Sequence, residues 1–506
     1  MSAPERAQPQ NGEPGARRFF SHEQIMRVIG GLMLAMFLAA LDQTIVAIAL
    51  YSIATDLSGE ALMPWIISGY LVVATVATPI YGKLSDVYGR WPLLSAAIAL
   101  YLVASLASAL AQSMPQLLAF RLLQGLGGGG LIVLVQTIIG DIVPRQERGR
   151  YQAFLSGVFA LAAIAGPVIG GLLAQYLHWR AIFLFNLPLG IAAWLITRRG
   201  LRSLPRNNRD KPIDYAGAAL LGLSLASIMI ALMRVGQGFG LLDPVTVGLV
   251  ALGLVAATGL WWQEQRAADP VLPPELFRNK TVMLCCAVLG INFLVMYGSI
   301  VMVPLAMQTL GEASAGRMAV LMLPFTLGVP LGSYISGKSM QTAARERTLL
   351  SLGSASAAVG SLLLALGYYE PGPLLLLSLF IIGNGVGLCI PASIVAVQAA
   401  VRPPMIGIAT ATSGMFRTLG GSLGIALMSA ALFSQLISVD AKDVAATTSH
   451  GPRQVDQLIA VAPELLSNGF QWAFIIAAIA ASFAWLLSRL LPQTQLLTSP
   501  ATGDKS

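Results

Sequence analysis

The sequence predicts an all-α integral membrane protein with about fourteen transmembrane helices. Hydrophobic residues make up 56% of the 506 positions, charged residues make up only 11%, and the mean hydropathy is +0.73. A soluble domain needs a polar surface that this composition cannot supply. A helix needs about 20 apolar residues to cross the hydrocarbon core, and stretches of this length recur along most of the chain.

The apolar stretches follow one another with short polar connections, so each is assigned as one span. The first is too long for a signal-peptide core and has no convincing small-residue cleavage site after it, so it is retained as a helix. The predicted spans lie near residues 27–53, 63–82, 91–112, 115–139, 151–175, 179–197, 215–234, 244–263, 281–307, 315–337, 347–368, 372–395, 407–437 and 468–491.

A basic linker and a faint repeat divide the spans into two six-helix bundles with an inserted hairpin. Six basic residues lie in the segment 198–211, after the sixth span. The segment starting at Gly332, after span ten, is a faint copy of the one starting at Gly82, after span two, as expected for a repeated half. The predicted units are a tail at 1–26, a bundle at 27–197, a linker at 198–214, a hairpin at 215–263, a linker at 264–280, a bundle at 281–491 with an outer loop at 438–467, and a tail at 492–506.

The distribution of Lys and Arg predicts the orientation of the chain. With the N-terminus inside, about 24 of them fall on the cytoplasmic side and about 5 outside. We therefore expect a multi-pass protein of the cell (inner) membrane with both termini in the cytoplasm. The net charge of +8 is spread over short segments between apolar spans, which does not indicate a nucleic-acid surface.

A short charged segment, GKLSDVYGR, separates the second and third spans and is predicted to form a tight cytoplasmic loop. Gly82 and Gly89 permit the chain reversal. Lys83 and Arg90 are expected to hold the loop at the anionic inner leaflet, and Asp86 offers a carboxylate to nearby helix ends or arginines.

Two charges within spans, Asp42 and Arg121, are the first candidates for function. A guanidinium inside a membrane is costly and normally finds a partner. Counting about 1.5 Å per residue from the outer ends of their spans places both groups at similar depth in the outer half. We expect an ion pair at a proton-coupling site; the alternative is a static structural pair.

The glycine run that follows Gly125 satisfies the pattern G-x-G-x-x-G but lies inside an apolar helix, so it indicates close helix packing and not a dinucleotide site. No phosphate-binding G-x-x-x-x-G-K-[ST] motif occurs. The sequence also has no His or Cys residues at the spacing typical of metal ligands, and no evident catalytic nucleophile with a general base beside it. We therefore expect no cofactor, no metal and no enzymatic activity, with the proton gradient as the energy source.

The fifth span carries Gly166, Pro167, Gly170 and Gly171. Proline frees a backbone carbonyl and bends a helix, while glycines admit a close neighbour. These residues predict a kink in the fifth span.

Several of these motifs resemble those of one family. The segment at 82–90 resembles the loop between the second and third helices of major facilitator transporters, and 166–171 resembles the antiporter signature of that superfamily. The segment LDQTIVAIAL at 41–50 resembles the first span of the fourteen-helix drug:proton antiporters, with Tyr51 where they usually have proline. Further similar motifs begin at Trp179, Leu272 and Gly407, and the last includes Arg417-x-x-Gly420-Gly421.

The resemblance implies a cytoplasmic gate in which Asp86 joins a charge network that latches the outward-facing state. Its other members would be Asp141 and the basic cluster that includes Arg145 and Arg150; the alternative is a solvated basic loop. Arg417 is a candidate second functional charge, with a structural bond to a carbonyl or a phosphate as the equal alternative. The candidate substrate cavity comprises Gln43, Trp65, Tyr70, Gln124, Asn292, Phe293, Met296, Tyr297 and Gln308.

The resemblance implies a proton-coupled antiporter that exports hydrophobic or amphipathic small molecules by alternating access, a multidrug efflux type of function. The expected partners are the substrate, protons and membrane lipids, while an envelope partner protein is left unspecified by the sequence. An exporter of a lipid or of one dedicated metabolite is the main alternative. A membrane enzyme and a non-transporting receptor are the alternatives from other classes.

Overall fold

The computed structural model describes residues 22–59, 62–201, 214–310, 320–342, 345–366, 372–436 and 463–492. Within these ranges every element of regular secondary structure is a helix, which confirms the predicted fold class. In the described part of the chain, fourteen helices have 20 or more residues, and thirteen of them are long and apolar enough to cross a membrane. The helices are α1 (His22–Asp56), α2 (Met63–Tyr88), α3 (Arg90–Ala109), α4 (Met114–Ile142), α5 (Arg145–Tyr176), α6 (Arg180–Leu201), α7 (Tyr215–Gly236), α8 (Pro244–Glu264), the short α9 (Pro274–Arg278), α10 (Lys280–Thr309), α11 (Leu323–Thr342), α12 (Glu346–Ala365), α13 (Pro373–Ala399), α14 (Ile406–Leu436) and α15 (Pro463–Arg489).

Short polar side chains cap several helices where the chain re-enters the bundle. Asp214 accepts from the Gly217 amide at 2.8 Å at the start of α7, and Asp243 accepts from the Thr246 amide at 3.0 Å at the start of α8. The Asn279 side chain accepts from the Thr281 and Val282 amides at the start of α10. These caps satisfy amides that have no partner within the helix, and they set where each span begins.

The helices form two halves that repeat each other's packing. In the first half α2 and α3 pack on α4, α1 packs on α5, and α3 also packs on α6. In the second half α11 and α12 pack on α13, α10 packs on α14, and α12 packs on α15. The correspondence of α1–α6 with α10–α15 is the architecture expected of duplicated transporters.

The hairpin α7–α8 lies outside both halves. Its helices pack on each other, and α7 contacts both α2 and α14. Gly222 of α7 faces Val76 of α2, and Gly236 faces Ile425 of α14. The hairpin therefore lies along one junction between the two halves.

The structure differs from the prediction at the charged segment 82–90, which is not a loop. Helix α2 continues through it to Tyr88, and only Gly89 interrupts the helical path, with a φ of 93° that favours glycine. Gly82 is a packing residue of α2 and not a turn residue: a Cβ there would lie 2.5 Å from Ala411 Cβ of α14. Most of the predicted linker at 198–214 and outer loop at 438–467 falls outside the described residues.

Candidate functional site

Asp42 of α1 and Arg121 of α4 form a fully buried ion pair. Arg121 Nη1 lies 2.5 Å from Asp42 Oδ2, and each residue is 1% exposed. In this low-dielectric setting such a pair is stable only when the remaining donors and acceptors are also satisfied. The pairing anticipated from the cost of burying each charge is present in the structure.

Two amide side chains complete the coordination of the Asp42 carboxylate. Gln124 Nε2 and Asn186 Nδ2 donate to Asp42 Oδ1 at 3.1 and 3.0 Å. Arg121 Nη1 also donates to Gln124 Oε1 at 2.8 Å, and Asn186 Nδ2 donates to Ser105 Oγ at 2.9 Å. Asp42, Arg121, Gln124, Asn186 and Ser105 are hereafter called the charge hub.

Aromatic rings cover the guanidinium of the charge hub. The Arg121 Cζ atom lies 4.5 Å from the centre of the Tyr70 ring and 5.9 Å from that of Phe183. Cation–π contacts of this kind stabilise a desolvated guanidinium. With Tyr70 from α2, the site draws on α1, α2, α3, α4 and α6, so a rearrangement of the charge hub affects most of the first half.

A cavity of about 210 Å³ lies between the two halves. The polar lining from the first half consists of Gln43, Thr75, Thr78, Gln136, Gln152 and Ser156, and the lining from the second half includes Phe293, Met296, Tyr297, Arg417, Thr418 and Ser422. Both halves therefore contribute polar and apolar groups to the lining, as in small-molecule sites. Gln43 adjoins Asp42 in sequence, so α1 links the cavity to the charge hub.

Arg417 projects into this cavity from α14. Its Cζ atom lies 5.5 Å from the centre of the Phe293 ring, which stands 6.0 Å from the Tyr297 ring. Gly421, one turn after Arg417, makes room for that tyrosine, because a Cβ at Gly421 would lie 2.8 Å from Tyr297 Cδ2. The motif Arg417-x-x-Gly420-Gly421 thus shapes the cavity wall.

Only part of the predicted cavity set lines the cavity. Gln43, Phe293, Met296 and Tyr297 do, but four other predicted residues are absent from its lining. Gln124 and Tyr70 belong to the surroundings of Arg121 instead. Asn292 donates to Val288 O and Ser354 Oγ inside the second half. Trp65 lies near the start of α2 and is partly buried. The side chain of Gln308 lies outside the described part of the chain.

The glycines of α5 have different surroundings. A Cβ on Gly166 would overlap Thr44 Oγ1 of α1, and one on Gly170 would lie 3.1 Å from Ile45 O. Nothing lies within 4 Å of a Cβ placed on Gly171. Two of the three glycines therefore allow α5 to approach α1 just beyond Asp42, whereas the side chain of Pro167 is outside the described set.

Asp86 closes one end of the molecule by capping α14. Its carboxylate accepts from the Gly407 and Ile408 amides at 3.2 and 3.0 Å, at the positive end of that helix. Arg90 holds the same carboxylate at 2.6 Å and also contacts Asp141 Oδ2 at 2.6 Å. We call Asp86, Arg90, Asp141 and the α14 N-terminus the latch, and the end of the molecule that holds it the latch end.

Two basic residues of the predicted gate have other partners than those expected. Lys83 does not reach toward lipid but pairs with Asp269, between α8 and α9, at 2.8 Å. Arg90 is 8% exposed within the latch and is not at a leaflet surface. Arg150 is exposed against the Phe154 ring and is not part of the latch, and the side chain of Arg145 lies outside the described residues.

A second contact between the halves at the latch end uses glycines without charges. A Cβ on Gly337 of α11 would overlap Gly149 O of α5, and one on Gly149 would lie 3.2 Å from the Gly337 backbone. Between these contacts, Gln398 of α13 donates to Gln136 O of α4 at 3.2 Å. The cavity is therefore closed at the latch end.

Three residues that make contacts in these sites were not among the site residues predicted from the sequence. Asn186 belongs to the motif that begins at Trp179, and a lone polar residue in an apolar span is a signal for a buried partner. Ser105 gives no such signal, because small hydroxyl residues are common in membrane helices. Asp269 lies in a connection whose path the sequence does not fix.

Comparison with known proteins agrees with this architecture. The family model for the Major Facilitator Superfamily matches residues 32–425. The chain belongs to the major facilitator superfamily. Members of this superfamily are transporters and not enzymes, so the chain is a multi-pass membrane transporter.

Relatives of the chain carry names that refer to drug transport. The chain is 32% identical to the multidrug transporter protein MdtP of Bacillus subtilis, over 80% of this chain and 75% of that protein. It is 30% identical to multidrug resistance protein 3 of the same organism, over 79% of this chain and 78% of that protein. The crystal structure of the human organic anion transporter MFSD10 superposes with a TM-score of 0.64 at 15% identity, covering 92% of this chain and 99% of that one, which indicates a common fold alone.

Proposed function

We propose that this protein is a proton-coupled antiporter that exports hydrophobic or amphipathic small molecules by alternating access. The observation that carries the proposal is the buried Asp42–Arg121 pair, linked through Gln43 to the cavity between the halves. Ionisable residues inside membrane spans commonly mark ion pathways. The named multidrug relatives support the substrate class.

The hydrogen bonds of Asp42 suggest how proton binding drives a conformational change. Oδ1 of Asp42 accepts from two N–H donors and Oδ2 accepts from Arg121, so these three hydrogen bonds favour the ionised carboxylate. Protonation of Asp42 removes the negative charge that pairs with Arg121 and therefore favours a rearrangement of the charge hub. Asn186 Oδ1 is buried without a partner, so rotation of that amide would offer the protonated carboxyl an acceptor.

Helix α1 transmits this rearrangement to the substrate. It carries Asp42 in the charge hub and Gln43 at the cavity, and it packs against Gly166 and Gly170 of α5. A small displacement of α1 would therefore change the cavity wall and the α1–α5 contact together. Substrate and proton then compete through one helix.

We assign the latch end to the cytoplasm because of the basic segments expected there, which places both termini in the cytoplasm and the protein in the cell (inner) membrane. In this assignment the structure has its cytoplasmic end closed. Substrate would leave outward while Asp42 takes a proton from outside. Opening of the latch would then release that proton inside and admit new substrate.

The proton gradient is large enough for this work. One proton moving through about 100 mV releases about 2.3 kcal/mol, and each pH unit adds about 1.4 kcal/mol. Together these terms correspond to a concentration ratio of several hundred for an uncharged substrate exchanged one for one.

The test is proton flux from proteoliposomes under an imposed pH gradient, recorded while chemically varied compounds are added. Wild type should show compound-dependent proton efflux, and Asp42→Asn should lose it. Asp56→Asn is the matched control, because it removes a carboxylate from the same helix outside the charge hub. Efflux that persists in Asp42→Asn would move the proton site elsewhere, and absence of efflux in wild type with every compound would contradict the proposal.

A further inference from the structure

Arg417 is a cation inside the bundle without an acidic partner among the described residues. It lies eleven residues into α14, where an unpaired charge is costly. Its Cζ atom lies 5.5 Å from the centre of the Phe293 ring. A guanidinium has five N–H donors, and a ring face leaves these donors available to a ligand in the cavity.

The other described residues of the cavity lining carry no opposite charge. Among the described lining residues Arg417 is the one charged side chain, and the polar positions are filled by glutamines, serines and threonines. Asp42 is outside the lining and its oxygens are already occupied by three donors. A cationic ligand would therefore meet a fixed positive charge with no carboxylate to compensate it.

The groups around Arg417 suit the remainder of an amphipathic molecule. Phe293, Met296 and Tyr297 form an apolar wall beside the guanidinium. Thr418 and Ser422, one helical turn apart on α14, also line the cavity and add hydroxyl groups to its polar surface. Arginine binds carboxylates and similar oxyanions in a bidentate geometry that a neutral head group cannot match.

We propose that this cavity binds amphipathic organic monoanions, with an oxyanion head group on Arg417 and an aromatic or aliphatic body against Phe293 and Tyr297. The claim that such anions are exported rests on the proposed function, whereas the claim that they bind does not. It narrows the substrate class from hydrophobic compounds in general to acids. Export of one such anion for one proton entering moves two charges, so the membrane potential drives the exchange as well as the pH gradient.

The test compares three probes of nearly equal shape: naphthaleneacetate, naphthaleneacetamide and naphthylethylamine. Binding to the purified protein is measured by calorimetry in detergent micelles. Wild type should bind the acid about tenfold or more tightly than the amide, as expected for a hydrogen-bonded ion pair, and the amine should bind most weakly.

Three variants identify the source of the preference. Arg417→Gln should bring the acid and the amide to within about twofold, and Arg417→Lys should keep part of the preference because it keeps the charge. The matched control is Arg402→Gln, which removes a positive charge from an exposed pair with Glu275 and should leave the preference unchanged. Thermal unfolding of each variant checks that it is folded.

The outcomes separate this inference from the proposed function. An unchanged acid preference in Arg417→Gln, a wild type that favours the amine, or a folded wild type that does not bind the acid would each overturn the inference. Acid binding that depends on Arg417, combined with absence of proton movement in proteoliposomes, would overturn the antiport alone. Proton-coupled transport of the amine without acid binding would overturn the substrate class alone.

Discussion

Arg121 in the first half and Arg417 in the second half both lie within long helices, and their surroundings are opposite in kind. Arg121 in the first half is paired with Asp42, hydrogen-bonded to Gln124 and covered by aromatic rings. Arg417 in the second half faces a cavity and lies near an aromatic ring instead of a carboxylate. The difference suggests a division of labour, in which a self-contained charge pair serves the proton and an available charge serves the substrate.

The largest difference should appear in stability when each arginine is replaced. Arg121→Met leaves Asp42 buried without its cation and should cost about 3–5 kcal/mol, because an uncompensated buried charge is strongly destabilising. Arg417→Met should change stability by less than about 1 kcal/mol, since no buried partner is left behind. Thermal unfolding in detergent measures both.

The double variant Asp42→Leu with Arg121→Met is the control for this prediction. It should recover part of the loss, because removing both charges also removes their desolvation cost. Equal destabilisation by Arg121→Met and Arg417→Met would contradict the claim that the two arginines have different roles.

The junction between the halves offers a second way to sharpen the comparison. The first half supplies the charges of the latch, whereas α14, the helix that carries Arg417, supplies only its N-terminal amides. A side chain at Gly407 would collide with Asp86 and Arg90, so Gly407→Val should cost about 1–3 kcal/mol and open the latch end. A cysteine substituted at Gln136 should then react faster with a water-soluble thiol reagent.

Gly171→Val is the matched control, because nothing lies within 4 Å of a Cβ at that position. It should leave both stability and the labelling rate close to those of the parent. The account of the latch fails if Gly407→Val labels no faster than Gly171→Val.

The smallest effect is expected from the other aspartate of α1. Asp56 is 43% exposed and accepts from Trp179 Nε1 at 2.9 Å and Arg180 Nη1 at 3.1 Å; these contacts, Trp179 foremost, hold the pKa of Asp56 below its ordinary value. A lowered pKa in the folded state adds stability above the unfolded-state pKa of about 4, and this stability is lost as the pH falls through the folded-state pKa. Because water screens the pair, Asp56→Asn should cost less than about 1 kcal/mol at pH 7.

The pH dependence of unfolding checks this prediction. The difference between wild type and Asp56→Asn should shrink as the pH falls below about 4 and should also shrink in high salt. If Asp56→Asn destabilises the protein at pH 7 as much as Arg121→Met does, the exposed pair of Asp56 would matter as much as the buried pair of Asp42, which would contradict this account.

What the sequence could predict follows from energetic cost. The spans and the Asp42–Arg121 pair were predictable because lipid penalises short helices and unpaired charges. Asn186 and Ser105 were not assigned to the charge hub, since uncharged polar residues carry a smaller penalty and give no distance information. The sequence predicts a turn at Gly82, which instead packs within α2, because glycine is common both in turns and at close helix contacts.

The cavity was harder to predict for a different reason. Gln124 and Asn292 are polar residues in apolar helices, and the sequence does not show which face of such a helix turns toward the cavity. Helices that are apolar on every side give no clear periodicity to orient them. Only the packing of the two halves separates Phe293 and Tyr297, which line the cavity, from Asn292, which bonds within its own half.

The division of labour between the two arginines is tested most directly by measuring substrate counterflow and proton-driven uptake in the same inside-out proteoliposomes, with naphthaleneacetate as the probe. The account predicts that Asp42→Asn keeps counterflow and loses proton-driven uptake, whereas Arg417→Gln loses both at low probe concentration. Proton-driven uptake that survives in Asp42→Asn, or counterflow of the acid that is undiminished in Arg417→Gln, would contradict it.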